Sequence, residues 1–318
     1  MSSLRIPRLS SHRAGSLATR LGSGLLALSL SLGMALPTFA ADPFRTSNPH
    51  EIGDLTEDAF EAIFKRGDYK EAERLLARAE TAEADEPLVQ AMLASIAYLN
   101  GEFAQVSQRA ESTKKVAQAL ESKDPLRSHL YQAVGIFMEG ASVLKSQGVA
   151  RGTPTALSML QQVFNHMDAA EAIDPTDPEL NLLKGYMDLM LAVNLPFSNP
   201  DEAIASMEQY GQPAYLSQRG IAIGYRDLDR NEEALAAVNK AIEAASNAPN
   251  QRNPELLYLK AQLLLRLNRD DEGAALFREA LDYRDQLPET VTQRIVHEAC
   301  AAEGADGDNC SLRADKDK

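Results

Sequence analysis

A stripe of small and apolar residues at the helical spacing i, i+4, i+7 recurs six times along the chain. Positions spaced in this way lie on one face of an α-helix. Successive stripes begin 34, 57, 40, 31 and 39 residues apart, so the period is loose. The stripes are Ala72, Leu76, Ala79; Val106, Ala110, Thr113; Val163, Met167, Ala170; Ala203, Met207, Tyr210; Ala234, Val238, Ala241; and Gly273, Phe277, Ala280. A chain with this pattern is constrained to stack helices.

Each stripe follows another apolar segment of helical period, which makes the unit a helical hairpin. The turns between helices carry a residue that can cap a helix, followed by Pro at the first helical position, where its missing N–H costs nothing. These dipeptides are Asp124-Pro125, Thr153-Pro154, Asp177-Pro178, Asn199-Pro200 and Asn253-Pro254. No alternating β pattern of useful length is present, so the fold class is all-α.

Two segments, "RGDYKEAERLLARAE" and "LDRNEEALAAVNKAIEAA", resemble the second half of a tetratricopeptide repeat (TPR), and "AAEAIDPTDPELNLLKGY" resembles a junction between two repeats. The resemblance implies a right-handed α-α superhelix, a TPR-like solenoid of about six helical hairpins over residues 53–286. It also implies a capping helix over residues 287–303, which covers the apolar face of the last unit. The chain departs from the family in having no Trp.

The third unit departs furthest from the pattern. We expect its first helix near Leu126 to Lys145, then a loop over residues 146–153, and a second helix that opens at Thr153-Pro154. Gly135 and Gly140 lie inside the first helix, where glycine is unfavourable unless it permits close packing. The loop is either functional or tolerated drift.

Residues 1–40 have the features of a secretory signal peptide: four Arg and no acidic residue, an apolar run shorter than a bilayer span, and small residues before the cleavage site. Cleavage is expected between Ala40 and Ala41, and the alternative is an uncleaved membrane anchor. An extended segment over residues 41–52 then precedes the repeats, and residues 304–318 form a polar tail.

Without its leader the chain carries 32 − 4 = 28 basic and 46 acidic residues, a net charge of −18. This surface repels phosphate backbones and anionic lipids, which argues against nucleic-acid binding and membrane-surface binding. The expected partner is therefore a protein or peptide. The charge either favours cationic partners or serves only to keep the protein in solution.

The sequence gives little indication of catalysis or metal binding. The histidines of the chain after the leader are more than a helical turn apart, so no single helix presents a metal pair. The "DGDN" at residues 306–309 lacks the Gly and the terminal Glu of a calcium loop. No nucleophile elbow, P-loop or dinucleotide motif is present. We expect no enzymatic activity, no cofactor and no metal.

The two cysteines, Cys300 and Cys310, are separated by a short polar segment. An even cysteine count and an oxidising compartment favour one local disulfide, and two free thiols are the alternative.

The TPR resemblance implies that the first helix of each hairpin lines a concave groove. Aromatic and Arg side chains on such a face are residue types favoured at binding hot spots. The alternative is that the Tyr residues belong to the core and the Arg residues pair with neighbours. The chaperone-type carboxylate clamp of the family is not supported, because two of its Asn positions hold Ile223 and Gln262. The candidate groove residues are Tyr98, Tyr186, Arg219, Arg226, Tyr258, Gln262 and Arg266.

The start of the expected mature chain, "ADPFRTSNPHEIGDLTEDAFEAIFKRGDY", resembles an exported family of cyanobacterial TPR proteins without assigned activity. The resemblance implies a periplasmic location, with the thylakoid lumen as the second possibility. The function that we expect is a non-catalytic scaffold or assembly factor that binds a protein or peptide in the groove. A periplasmic protein that binds a small ligand or a glycan is the alternative.

Overall fold

The computed structural model describes residues 42–194, 199–246, 252–304 and 310. The described residues are predominantly helical and contain no β-strand, which confirms the all-α fold class. The predicted signal peptide, its cleavage site between Ala40 and Ala41, and most of the polar tail, including the "DGDN" segment, lie outside the described residues.

Thirteen α-helices, a π-helical segment and a 3₁₀ turn make up the described fold. The helices are α1 (Asp54–Phe60), α2 (Tyr69–Ala82), α3 (Pro87–Leu99), α4 (Phe103–Ala119), α5 (Pro125–Gln147), α6 (Val149–Glu171), α7 (Pro178–Asn194), α8 (Pro200–Gln209), α9 (Ala214–Asp227), α10 (Asn231–Ala245), α11 (Pro254–Arg266), α12 (Asp270–Leu281) and α13 (Glu289–Ala302). The π-helical segment, Glu61–Arg66, continues α1, and the 3₁₀ turn, Arg284–Gln286, precedes α13.

Consecutive helices pack in pairs, from α1 with α2 to α11 with α12. Each even-numbered helix also packs on the odd-numbered helix that follows it. Short connections make paired helices antiparallel, so the odd-numbered helices run in one direction and their N-terminal ends lie on the same side. We call α3, α5, α7, α9 and α11 the odd-numbered row, in which α3 contacts α5, α7 contacts α9, and α9 contacts α11.

The six predicted stripes lie on the six even-numbered helices α2 to α12, the last residue of the fourth stripe being the C-cap of α8. Every stripe residue is buried except Tyr210, the C-cap of α8, which is half-buried. Small residues at these positions let the helices of a pair approach closely, and burial of the larger ones supplies the main apolar stabilisation. The helical stripe predicted from the sequence is therefore confirmed as the core.

The predicted loop over residues 146–153 is wrong. Helix α5 ends at Gln147 and α6 begins at Val149, so only Gly148, with φ 77°, separates them. Pro154 lies inside α6 rather than at its start, because the helix begins five residues earlier, and its missing N–H removes one backbone hydrogen bond from the first turns of the helix. Gly152 lets α6 approach α5: a Cβ there would lie 3.1 Å from Leu144 Cα.

Four of the five predicted capping residues act as caps. Asp124, Asp177, Asn199 and Asn253 each accept a hydrogen bond from a backbone N–H in the first turn of the following helix. Thr153 does not, since its hydroxyl donates to Val149 O within α6. The capping signal thus marks the starts of α5, α7, α8 and α11 correctly.

The first unit contacts the last units as well as its neighbours. Tyr69 at the start of α2 donates to Glu255 Oε2 of α11 (2.9 Å), and the α11 cap Asn253 donates to Phe64 O (3.1 Å). Thr290 of α13 donates to Leu99 O at the end of α3 (2.7 Å). In an open stack each unit contacts only its sequence neighbours. These bonds join residues up to 191 positions apart, so the first helical units contact the last ones directly.

The C-terminal segment is fastened by a disulfide between Cys300, near the end of α13, and Cys310, with Cα atoms 5.4 Å apart. Both cysteines are buried. The predicted pairing is confirmed. Closing a loop this short stabilises by about 2 to 3 kcal/mol in the chain-entropy model.

Candidate functional site

The N-terminal ends of α3, α5 and α7 gather carboxylates on one side of the odd-numbered row. Glu86, Asp124 and Asp177 each cap a helix by accepting a backbone N–H bond, and Glu179 lies in the first turn of α7. A carboxylate at this position interacts favourably with the positive end of the helix dipole. We call these four acidic residues the N-terminal edge.

A buried guanidinium links the N-terminal edge across three helices. Arg127 of α5 donates from both Nη atoms to Glu86 (2.8 and 3.0 Å) and from Nε to Glu179 Oε2 (3.0 Å). The hydroxyl of Tyr131 also donates to Glu179. Burial raises the pKa of the Glu179 carboxyl, and the Arg127 charge opposes that rise. Removing one partner of such a group leaves an uncompensated buried charge, so the group fixes how α3, α5 and α7 meet.

An extended segment of the chain, residues 42–53, lies against this edge. Arg45 forms an ion pair with Asp177, and His50 Nε2 lies 3.3 Å from Asp124 Oδ2. Phe44 and Ile52 are buried, and the Phe44 ring packs edge-on against Phe60 with centroids 4.9 Å apart. The predicted N-terminal segment is therefore a bound element of the fold.

Asp42 holds the segment in shape. Its carboxylate accepts from Phe44 N (2.8 Å) and from His50 N (2.9 Å), and His50 Nδ1 lies 3.0 Å from Oδ2. Burial favours a higher pKa for Asp42, but the bonds from His50 and Phe44 outweigh it and hold that pKa below its usual value. The segment thus brings its own carboxylate to an acidic site, where that carboxylate contacts His50.

Two of the predicted groove residues make contacts between helices of the odd-numbered row. Arg219 Nη2 lies 3.2 Å from Glu255 Oε1, beside the bond from Tyr69 to the same carboxylate. The Tyr186 hydroxyl donates to Leu216 O (2.8 Å), and burial raises the pKa of Tyr186 above its usual value. Both side chains are half-buried, and each joins two helices of the odd-numbered row.

Four other predicted residues form one chain of hydrogen bonds. Tyr258 OH (2.5 Å) and Gln262 Nε2 (2.8 Å) donate to the carboxylate of Glu298 on α13. Arg226 Nη1 donates to Gln262 Oε1 (3.0 Å), and Arg266 Nη1 donates to Arg226 O (3.3 Å). Arg266 also lies 3.2 Å from Asp229, yet its side chain is 44% exposed. The chain connects α9, α11 and α13.

Tyr98 stands apart from the other candidates. It lies at the end of α3, is 53% exposed, and contacts Phe103 edge-on with centroids 5.8 Å apart. The structure therefore joins four of the seven predicted residues in one chain of hydrogen bonds and gives Arg219 and Tyr186 separate partners. It leaves Tyr98 as a separate exposed aromatic.

Helices α5 and α6 bring together a histidine pair that sequence reasoning missed. The Nδ1 atoms of His129 and His166 lie 3.1 Å apart. Burial, and then the neighbouring His129, lower the pKa of His166. The residues are 37 positions apart on different helices, so no spacing within one helix could reveal them. Among the described residues no group of three or more potential metal ligands occurs.

A small void lies between α10 and α11, where it is lined by residues including Ile242, Asn253 and Leu257. Its volume of about 10 Å³ matches at most one water molecule. In the part of the chain that the structure describes, no helix combines the length and apolar character needed to cross a membrane.

No protein-family model matches the chain, and no curated protein matches it significantly.

Proposed function

We propose that the protein is an exported, non-catalytic scaffold or assembly factor that binds an extended protein segment. Its architecture would be a right-handed TPR-like superhelix of about six hairpins with α13 as its capping helix. The support is the pairing of consecutive helices and the burial of the recurrent stripe on every even-numbered helix.

One observation carries the binding role: the odd-numbered row already holds an extended segment of its own chain. Residues 42–53 have no helix or strand, and they contact the N-terminal ends of α5 and α7 through Arg45 and His50. Recognition of an extended segment by side chains on a rigid helical face is an established mode of peptide binding.

The surface available to a partner differs from the one expected from sequence alone. Arg219 and Tyr186 already bond within the row, so we assign them to its structure. Tyr98 and Arg266 remain exposed, and Arg226 lies beside Arg266. An exposed aromatic and a guanidinium are suited to an anchoring contact and a carboxylate contact, respectively.

Export to the periplasm, or to the thylakoid lumen, is part of the proposal. The disulfide supports an oxidising compartment. Mass spectrometry of the protein from its native host tests the cleavage site, with Ala41 expected as the first residue. A mature protein that retains residues 1–40 would refute this part.

Affinity capture from an extract of the exported fraction tests the binding role. We expect stoichiometric recovery of one protein by the wild type, and its loss with Tyr98→Ala combined with Arg266→Glu. Leu157→Ala with Arg74→Glu is the matched control, because both residues are exposed on even-numbered helices. Capture of no protein, together with thermal stabilisation by a sugar or metabolite, would instead support the small-ligand or glycan alternative.

A further inference from the structure

We propose that the N-terminal edge is a binding site for an extended partner segment that carries an aromatic residue followed by Arg, and that residues 42–52 occupy this site in cis. This inference rests on the proposed function and names the chemical class of its partner. Binding in trans would require the internal segment to leave the site.

The internal segment is held by side chains. Among the described residues, its backbone hydrogen bonds stay within the segment, as from Arg45 N to Asp42 O and from Ile52 N to His50 O. Residues 46–49 are exposed and separate two short contact regions. Because few side chains make the contact, another peptide with the same side chains could replace it.

The buried carboxylate of Asp177 favours an occupant that carries a guanidinium. Departure of the segment removes Asp42, Arg45 and His50 together. The four edge carboxylates and Arg127 sum to 1 − 4 = −3, and the charges of Asp42 and Arg45 cancel, so what the departure removes is the guanidinium paired with Asp177. Asp177 is fully buried and would lose its only described ion pair. A guanidinium restores that pair, whereas an acidic segment would be repelled.

The internal segment is an imperfect ligand for this site. Arg45 Nε is buried without a hydrogen-bond partner among the described residues. A buried donor without an acceptor weakens an interaction. A partner Arg placed slightly differently could satisfy this donor, which would favour displacement of the segment. The neighbouring Phe44 position supplies the aromatic preference, because that ring is buried against Phe60.

Competition by a peptide of the chain's own sequence tests the inference. The probe is a fluorescent, C-terminally amidated peptide of residues 41–53, ADPFRTSNPHEIG. The protein is produced without residues 1–40, as wild type and as the variant Phe44→Ala with Arg45→Ala. Arg45→Ala alone is the second variant in case the double variant does not fold. Hydrogen exchange over residues 42–52 reports whether the segment has detached.

We expect the probe to bind the variant at least about 10-fold more tightly than the wild type. In the wild type the internal segment occupies the site, so the probe can bind only the fraction of molecules in which the segment has detached. A control peptide with Phe44→Ala and Arg45→Glu should bind at least about 10-fold more weakly than the probe. Added salt should weaken probe binding to the variant, since the contact is ionic.

Three results would overturn the inference. They are unchanged hydrogen exchange in both variants, equal affinity for the probe and control peptides, and concentration-dependent dimers of the variant, which would assign the edge to a second copy of the chain. The affinity capture of the preceding section does not use Arg45 or Phe44. If the Tyr98 and Arg266 variant loses capture while the probe peptide binds neither form of the protein, the proposed function stands. Only the binding site at the N-terminal edge is then rejected.

Discussion

Glu57 on α1 lies among other carboxylates, and its protonation depends on folding. Burial, with the nearby Glu61, Asp58, Asp54 and Asp42, raises its pKa from 4.5 to about 7. The folded state therefore holds a proton that the unfolded chain releases, and Glu57 destabilises the fold increasingly as the pH rises from about 4.5 to about 7.

We predict that Glu57→Gln stabilises the protein at pH values above about 7 and that this gain disappears below about 4.5. Urea unfolding at several pH values measures it. The control is Glu51→Gln, at an exposed position. A gain that is equal at low and high pH would contradict the electrostatic origin.

His166 should make the fold sensitive to mild acid. Its pKa in the folded state is lowered by burial and by His129, while the unfolded side chain takes up its proton near pH 6.5. The contribution of neutral His166 to stability is therefore complete above about pH 6.5 and declines as the pH falls below that value. His166→Gln should reduce this decline in the free energy of unfolding between pH 7 and pH 5. His297→Gln on α13 is the control, and an equal reduction there would refute the assignment to the pair.

Arg127 should be costly to remove, because Glu86 and Glu179 are buried against it. We predict that Arg127→Met lowers the free energy of unfolding by about 3 to 5 kcal/mol. Chemical denaturation measures the loss. Arg74→Met, at an exposed ion pair on α2, is the control and should change stability by less than about 1 kcal/mol.

At the scale of elements, α4 and α5 meet at a glycine. A Cβ at Gly135 would lie 2.8 Å from Ala110 O, whereas a Cβ at Gly140 would approach only Met159, at 3.9 Å. We predict that Gly135→Ala destabilises by about 1 to 3 kcal/mol through overpacking. Gly140→Ala should be neutral or stabilising by up to about 1 kcal/mol, because alanine favours the helix. Thermal unfolding of the pair checks this, and similar melting temperatures would show that α4 can shift.

The sequence predicts elements whose signals are local. The six stripes between Ala72 and Ala280 identify the buried face of each helix, because that face is set by spacing within the helix. Asp124 and Asn253 identify helix starts, because capping depends on adjacent residues. The prediction of a loop over residues 146–153 is wrong because Pro usually begins a helix and Pro154 here lies within one. The His129–His166 pair and the contacts of residues 42–53 depend on how separate helices meet, for which a single sequence has no local signal.

For the whole molecule, the contact between the first and last units should couple their stability. Tyr69→Phe removes the hydroxyl that donates to Glu255 and leaves the ring in place. We predict faster hydrogen exchange in both α2 and α11, although they are far apart in the chain. The control Tyr210→Phe, at the end of α8, should leave α2 and α11 unchanged, because the only hydrogen bond of its hydroxyl among the described residues is the one it accepts from the neighbouring Gln209. Faster exchange confined to α2 would show that the units fluctuate independently.

The contact between the first and last units also sets the order in which the fold can be completed. The ribosome makes the first hairpin first, and a chain generally folds from its N-terminus as it is synthesised. The Tyr69 hydroxyl nevertheless cannot form its hydrogen bond until Glu255, 186 residues later, has been synthesised. Contacts of such long sequence separation slow folding, because the loop must close before they form. The earliest part of the chain is therefore among the last to be finished, and any truncation before α11 leaves it with an unpaired surface.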